Sequence, residues 1–171
     1  MSEVKVIENL LPEDELRIIQ RTMSRDGGGD GLPWYMGYVV TPDDLGECDP
    51  ADNIHLMHMF YNHDQPNSNY INMIDPIVER LKHRSLLRIK ANSTMKTSTI
   101  IRHGFHVDFT FSDSKTSVFY VNTCDGYTEF EDGNRIESVE NRLVTFPSHF
   151  RHAGTTCTNQ PFRTVINFNY F

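Results

Sequence analysis

His106 and Asp108 are separated by one residue within residues 100–111, a stretch rich in β-branched and aromatic side chains that reads as a strand. Side chains alternate along a strand, so His106 and Asp108 share one face while Val107 and Phe109 take the other. An imidazole and a carboxylate placed this way form two corners of a facial site for non-haem Fe(II), which needs one more histidine and leaves positions open for substrate and oxygen. A hydrogen-bonded pair is the plainer use of the same residues, so the metal reading depends on what the rest of the chain supplies. His149 and His152 are both candidates for the third ligand. Each is far from His106 in sequence, and only a closed β architecture returns either one to it. Arg163 follows His152 by eleven residues and opens the alternating run 164–169. Aimed inward, it is an isolated buried cation until a carboxylate arrives to take its planar guanidinium.

The elements that must position these groups are legible in outline. Residues 4–7 can form a short strand, and Pro12 with Glu13, Asp14 and Glu15 opens a helix that runs to about Met23, proline and acids both suiting a helix N-terminus. Leu16, Ile18, Ile19 and Met23 include its packing stripe. The glycine-rich run 26–31 ends the helix; it lacks a following Lys-Ser/Thr and any Gly-x-Gly-x-x-Gly after a strand, so it reads as a connection and not a phosphate loop. Residues 34–40 read as a strand whose aromatics cover a sheet face or line a substrate groove. His55 and His58 fit one face of a helix and, with His63, are assigned structural roles. A second helix is expected within residues 69–83, carrying Ile71, Ile74, Ile77, Val78 and Leu81, with Pro76 at its start or a kink.

From Leu86 onward short strands follow one another: 86–92, which places Arg88, Lys90 and Asn92 on one face, then 99–111, 117–122, 127–130 with a hairpin through 131–134 into Arg135 and Ile136, 143–146 and 163–171. The fold class is mainly β with supporting helices, a jelly roll or double-stranded β-helix whose N-terminal helices pack on one sheet. Residues 24–34 and the loop from Thr41 to Asn53 are candidate lids.

A length of 171 residues suits one domain, 1–171, in which 1–85 give helical support and strands and 86–171 the catalytic core. The formal charge of −7 argues against a nucleic-acid partner, because affinity for phosphate backbones comes from clustered lysine and arginine. Cys48, Cys124 and Cys157 are odd in number and form no CxxC pair, which suits reduced thiols. Without a leader-like N-terminus or a bilayer-length apolar run, the expected location is the cytoplasm, with no membrane partner. The oligomeric state is left open.

His106-x-Asp108, distal His152 and Arg163 together resemble the 2-oxoglutarate/Fe(II)-dependent oxygenases, particularly the prolyl-hydroxylase-like branch. Between the ligands, Phe119-Tyr120-Val121-Asn122 resembles that branch's Tyr-Leu-Asn strand, residues 125–130 its Gly-Gly-x-Thr-x-Phe, and residues 141–148 the strand leading to the distal histidine. The resemblance covers roughly residues 86–171 and departs in Asp125 for one glycine, Val165 where a serine is common, and a histidine-to-arginine interval that is too long by one residue. It implies that His106, Asp108 and His152 bind Fe(II), with His152 preferred to His149 for its interval to Arg163. It further implies that Arg163 and Tyr120 receive the distal carboxylate of 2-oxoglutarate, and that Asn92 and Thr128 line the cosubstrate pocket. The implied activity is a dioxygenase that uses O2 to hydroxylate a C–H bond, with succinate and CO2 as products. Its substrate would be a prolyl residue of a protein or peptide, or a free amino acid or other small metabolite. From another class, a non-catalytic or cupin-like metal-binding jelly roll is the competing expectation.

Overall fold

The computed structural model describes residues 4–24 and 31–171. Its elements in chain order are β1 (Lys5–Ile7), α1 (Glu13–Ser24), β2 (Tyr35–Tyr38), β3 (Ile54–Asn62), β4 (Gln65–Pro66), α2 (Asp75–Arg80), β5 (Leu86–Met95), β6 (Lys115–Tyr120), β7 (Tyr127–Phe130), β8 (Arg135–Glu137), β9 (Arg142–Pro147), β10 (His152–Gly154) and β11 (Phe162–Tyr170). Eight strands form one antiparallel sheet in the order β1-β9-β6-β11-β5-β3-β2, with β4 paired to β3; a second sheet has the order β10-β7-β8. The protein is therefore mainly β, built from antiparallel sheets in the manner of a jelly roll.

The period-2 alternation of β5 and β11 divides the large sheet into two chemically different faces. In the register of these strands Ala91 faces Ile166 and Ile89 faces Phe168, while Phe119 of β6 also faces Ile166. These side chains belong to the same buried cluster as Leu16, Ile19 and Met23 of α1 and Ile77 of α2. Each such side chain contributes on the order of 1.5–3 kcal/mol by leaving water. Opposite-parity positions on the other face pair Thr94 with Arg163, Asn92 with Val165, Lys90 with Asn167 and Arg88 with Asn169. That polar face belongs to the site. A smaller apolar cluster, including Val118, Tyr120, Phe130, Phe146 and Val165, closes it at one side.

Helix α1 follows its sequence closely, with acids in the first turn and Leu16, Ile19 and Met23 buried on one stripe. Asn141 anchors the chain entering it, accepting from Leu11 N at 2.8 Å and donating to Leu11 O at 2.8 Å. The second helix is shorter than the 69–83 pattern predicts: a 3-10 turn at Ile71–Ile74 precedes the six-residue α2. Pro76 at its start explains the break, since proline has no N–H and its ring clashes with the carbonyl four residues back. His55 and His58 lie on strand β3 and not on a helix, which sends them to opposite faces. The expected strand over 99–111 is a coil that makes only two isolated antiparallel bridges, Arg102 to Thr155 and His106 to His152. The hairpin is as expected, with Gly133 in the left-handed region at φ 86°. Of the two candidate lids, residues 25–30 of the first lie outside the described residues.

Candidate metal centre

His106, Asp108 and His152 each offer one ligand atom, and these three atoms lie within 4.8 Å of one another. The bridge between coil and β10 creates the arrangement: His106 N donates to His152 O and His152 N to His106 O, both at 3.0 Å. Their rings come to 4.6 Å between centroids. In each histidine Nδ1 faces a main-chain carbonyl, Gly104 O at 3.3 Å for His106 and Phe150 O at 2.9 Å for His152. A proton on Nδ1 satisfies those carbonyls and leaves Nε2 free as a ligand. Gly104 is required here, because a Cβ at that position would strike the backbone carbonyl of Asp44. The coil therefore sits directly against the loop 41–53, and Asn53, bonded through its side chain to Val40 N and O, ties off the base of that loop.

Asp108 is held from both sides. Arg88 Nη2 donates to Oδ1 at 2.8 Å, while Thr116 Oγ1 at 2.9 Å and Asn169 Nδ2 at 3.1 Å donate to Oδ2. Burial would raise its carboxyl pKa, but His152, Arg88, His106 and Thr116 together hold it well below the usual carboxylate range. His106 is lowered to about 4, first by burial and then by His152, against the opposing pull of Asp108. Both groups are thus in their metal-binding forms, an anionic carboxylate and a neutral imidazole, at neutral pH.

Arg163 forms the other pole of the same pocket. Its side chain is buried and its hydrogen bonds go only to neutral oxygens: Nε to Ser138 Oγ at 2.8 Å, Nη2 to Thr128 Oγ1 at 3.0 Å and Nη1 to Thr155 O at 3.5 Å. Tyr120 OH donates to the same Thr128 Oγ1 at 2.8 Å, and the Tyr120 ring lies 5.7 Å below the guanidinium. The structure therefore brings Arg163, Tyr120 and Thr128 into one cluster, facing the His-Asp-His group across a cavity of about 70 Å³. Asn92 lines the cavity as well, its Oδ1 buried without a hydrogen-bond partner. His149 is excluded from this grouping. It is exposed, with its ring packed edge-on against Phe150.

Further polar side chains line the pocket that the sequence reading did not assign to a site, among them Lys90, His55, His103 and Asn167. Lys90 had been placed on the correct strand face, but a single lysine in an alternating strand carries no signature. His103 Nε2 and Asn167 Oδ1 are buried without partners, like Asn92 Oδ1. Burial, then Lys90, His103 and His106, lower the His55 pKa to about 3, so its ring is neutral. Three orphaned polar atoms converge on one cavity, and native proteins rarely leave such atoms unmatched except where a ligand or water completes them.

No protein-family model matches the sequence. No curated protein does either. Solved structures do match. A viral collagen prolyl hydroxylase from Paramecium Bursaria Chlorella virus-1, in complex with 2-oxoglutarate, aligns at a TM-score of 0.63 and 13% identity over 98% of this chain and 95% of that one. A prolyl hydroxylase from Trichoplax adhaerens, in complex with a hypoxia inducible factor oxygen degradation domain peptide fragment, aligns at 0.65 and 13% identity over 98% and 83%. The chain has the fold of the 2-oxoglutarate/Fe(II) oxygenases. The same fold extends to HygX from Streptomyces hygroscopicus with nickel, 2-oxoglutarate and hygromycin B bound, at 0.61 and 9% identity over 98% of this chain and 82% of that one. At these identities the oxygenase likeness is one of backbone course, spanning nearly the whole chain and both sheets.

Proposed function

We propose that the protein is a 2-oxoglutarate- and Fe(II)-dependent dioxygenase, with residues 1–171 acting as one domain and its two sheets as the double-stranded β-helix of that family. The observation that carries this reading is the pairing, in one cavity, of the His106–Asp108–His152 group with a buried arginine that has no carboxylate partner among its hydrogen bonds. Two nitrogens and one oxygen suit Fe(II), and Arg163 and Thr128 offer hydrogen-bond donors to an anion lying between the metal group and the guanidinium.

In this reading His106, Asp108 and His152 hold Fe(II). Arg163 takes the distal carboxylate of 2-oxoglutarate in charge-assisted hydrogen bonds, with Thr128 and Tyr120 completing its oxygens and Asn92 lining the wall. When bound, the iron and 2-oxo acid supply the oxidising chemistry: C–H, O2 and 2-oxoglutarate give C–OH, succinate and CO2. The chain's own contribution is orientation and exclusion of water. The bonds from Arg88, Thr116 and Asn169 fix the carboxylate, two carbonyls fix the imidazole tautomers, and the loop 41–53 against Gly104 covers one side.

A passive jelly-roll module would have little use for a buried guanidinium poised opposite a metal-ligand set, since burying such a charge is costly. The substrate is either a prolyl residue, as the peptide-bound relative suggests, or a small molecule, as the hygromycin B complex suggests. The free thiols of Cys48, Cys124 and Cys157 fit a cytoplasmic setting. Among the described residues no helix is long and apolar enough to cross a membrane. The test is to add Fe(II) and then 2-oxoglutarate without oxygen and look for the metal-to-ligand charge-transfer band. Admitting oxygen should then release succinate; absence of both results would leave a binding module.

A further inference from the structure

Of the cations in and beside the pocket, Arg88 and Arg163 have assigned roles and Lys90 has none. Arg88 is committed to Asp108 at 2.8 Å. Arg163 is assigned above to the distal carboxylate of the cosubstrate. Lys90 stands between them on the site face of β5 and lines the same cavity as His55, His103, His106 and Asp108. Among the described residues no hydrogen bond or ion pair ends on its ammonium. Its ladder neighbours are Met59 on β3 and Asn167 on β11, neither of which carries a charge. Lys90 is half-buried where it lines the cavity, and a cation partly withdrawn from water, with no carboxylate in hydrogen-bond reach, is a receptor for an anion. Burial and then Arg88 lower its pKa to about 8, with Asp108 opposing, so the group remains cationic at neutral pH. With a divalent metal and a dianionic 2-oxo acid in place, Arg88, Lys90 and Arg163 against Asp108 still leave an excess of positive charge.

We propose that Lys90 receives a carboxylate of the primary substrate, so that the protein oxidises a C–H bond of a free carboxylic acid, amino acids foremost, and not of an internal peptide residue. The inference rests on the oxygenase reading. Amino acids come first because Asn167 Oδ1, across the ladder from Lys90, is a buried acceptor lacking a donor, which an ammonium on the same ligand would supply. An internal prolyl residue has its carbonyl in an amide and offers neither group.

The test uses the full chain loaded with Zn(II) and 2-oxoglutarate, and the twenty free amino acids each compared with its carboxamide, L-proline and L-prolinamide among them. At least one free acid should raise the melting temperature and bind at least tenfold more tightly than its amide. Lys90→Met should weaken that acid at least tenfold while the 2-oxoglutarate affinity, read from the Fe(II) charge-transfer band, stays within about twofold. Lys90→Arg should restore part of the loss. The proposal is overturned if no free acid binds, if amides bind as well as acids, or if Lys90→Met weakens 2-oxoglutarate tenfold, which would assign the ammonium to the cosubstrate. Failure of the oxygenase reading is seen separately, as absence of the charge-transfer band in the unaltered protein before any amino acid is added.

Discussion

Arg88 meets Asp108 at 2.8 Å through Oδ1, which turns Oδ2 toward His152 Nε2, 3.9 Å away. The arginine also donates from Nε to Asn169 Oδ1 at 3.1 Å and stacks over Phe109 at 5.1 Å, so its own position is fixed. Partners that orient a ligand typically contribute 10–100-fold in metal affinity. Arg88→Ala should therefore weaken Zn(II) binding by about tenfold or more, measured by competition with a chromophoric chelator. A tightened affinity would mean that the arginine's charge opposes the metal more than its hydrogen bond orients the carboxylate.

Asp108→Ala should remove metal-dependent succinate formation altogether, because it deletes one ligand and leaves Arg88 facing the cavity unpaired. His149→Ala should leave metal binding within about twofold of the original, since that ring is exposed and touches only Phe150 among aromatic neighbours. Metal content after dialysis distinguishes the two variants. The reverse pattern would replace His152 by His149 as third ligand.

The cosubstrate pole can be disturbed in two ways. Arg163→Ala deletes the guanidinium and should weaken 2-oxoglutarate by about 2–3 kcal/mol, on the order of a hundredfold, as a charge-assisted bond implies. Gly126→Ala alters no polar group, but its Cβ would lie 2.5 Å from Arg163 Cδ and 2.6 Å from Thr156 O. It should push the arginine from its seat, so that cosubstrate affinity and melting temperature fall together. Titration of the charge-transfer band with 2-oxoglutarate checks both, and an undisturbed affinity in Gly126→Ala would show that Arg163 can be reseated without loss.

The sequence was most informative where chemistry and period coincide. His106, Asp108, His152 and Arg163 stood out by residue type, and alternation put Arg88, Lys90 and Asn92 on one strand face, as β5 does. It misled where tertiary pairing overrides local pattern. Residues 99–111 have strand composition, yet they run as a coil that packs at Gly104 against Asp44, and His106 reaches His152 through an isolated bridge. His55 and His58, three apart, look like one helical face; on β3 they separate, His55 into the pocket and His58 away from it. The orphaned acceptors of Asn92 and Asn167 had no signal, because an unmet hydrogen bond exists only in the folded chain.

His58 supplies a pH dependence separate from the site. Its Nδ1 contacts Pro33 O and its Nε2 Ser68 Oγ, both at 2.7 Å, and Ser68 Oγ also accepts from Tyr70 N at 3.0 Å. In the neutral ring Nδ1–H donates to Pro33, and Nε2 accepts the serine hydroxyl proton. Protonation would make Nε2 a donor and force that hydroxyl to turn away. Burial lowers the His58 pKa from its ordinary 6.5, outweighing the opposing bond to Pro33. For a histidine so depressed, the unfolded chain gains the proton first. The stability it contributes is complete above pH 6.5 and is lost as pH falls through the lower, folded-state value. His55, His103 and His106 are shifted the same way, so the whole chain should weaken on acidification. His58→Gln keeps a donor and an acceptor but cannot titrate. Its urea-unfolding free energy should therefore fall less steeply than the parent's below pH 6.5, by no more than the slope of one proton. Parallel curves would show that His58 binds its proton equally well in the folded and unfolded chains.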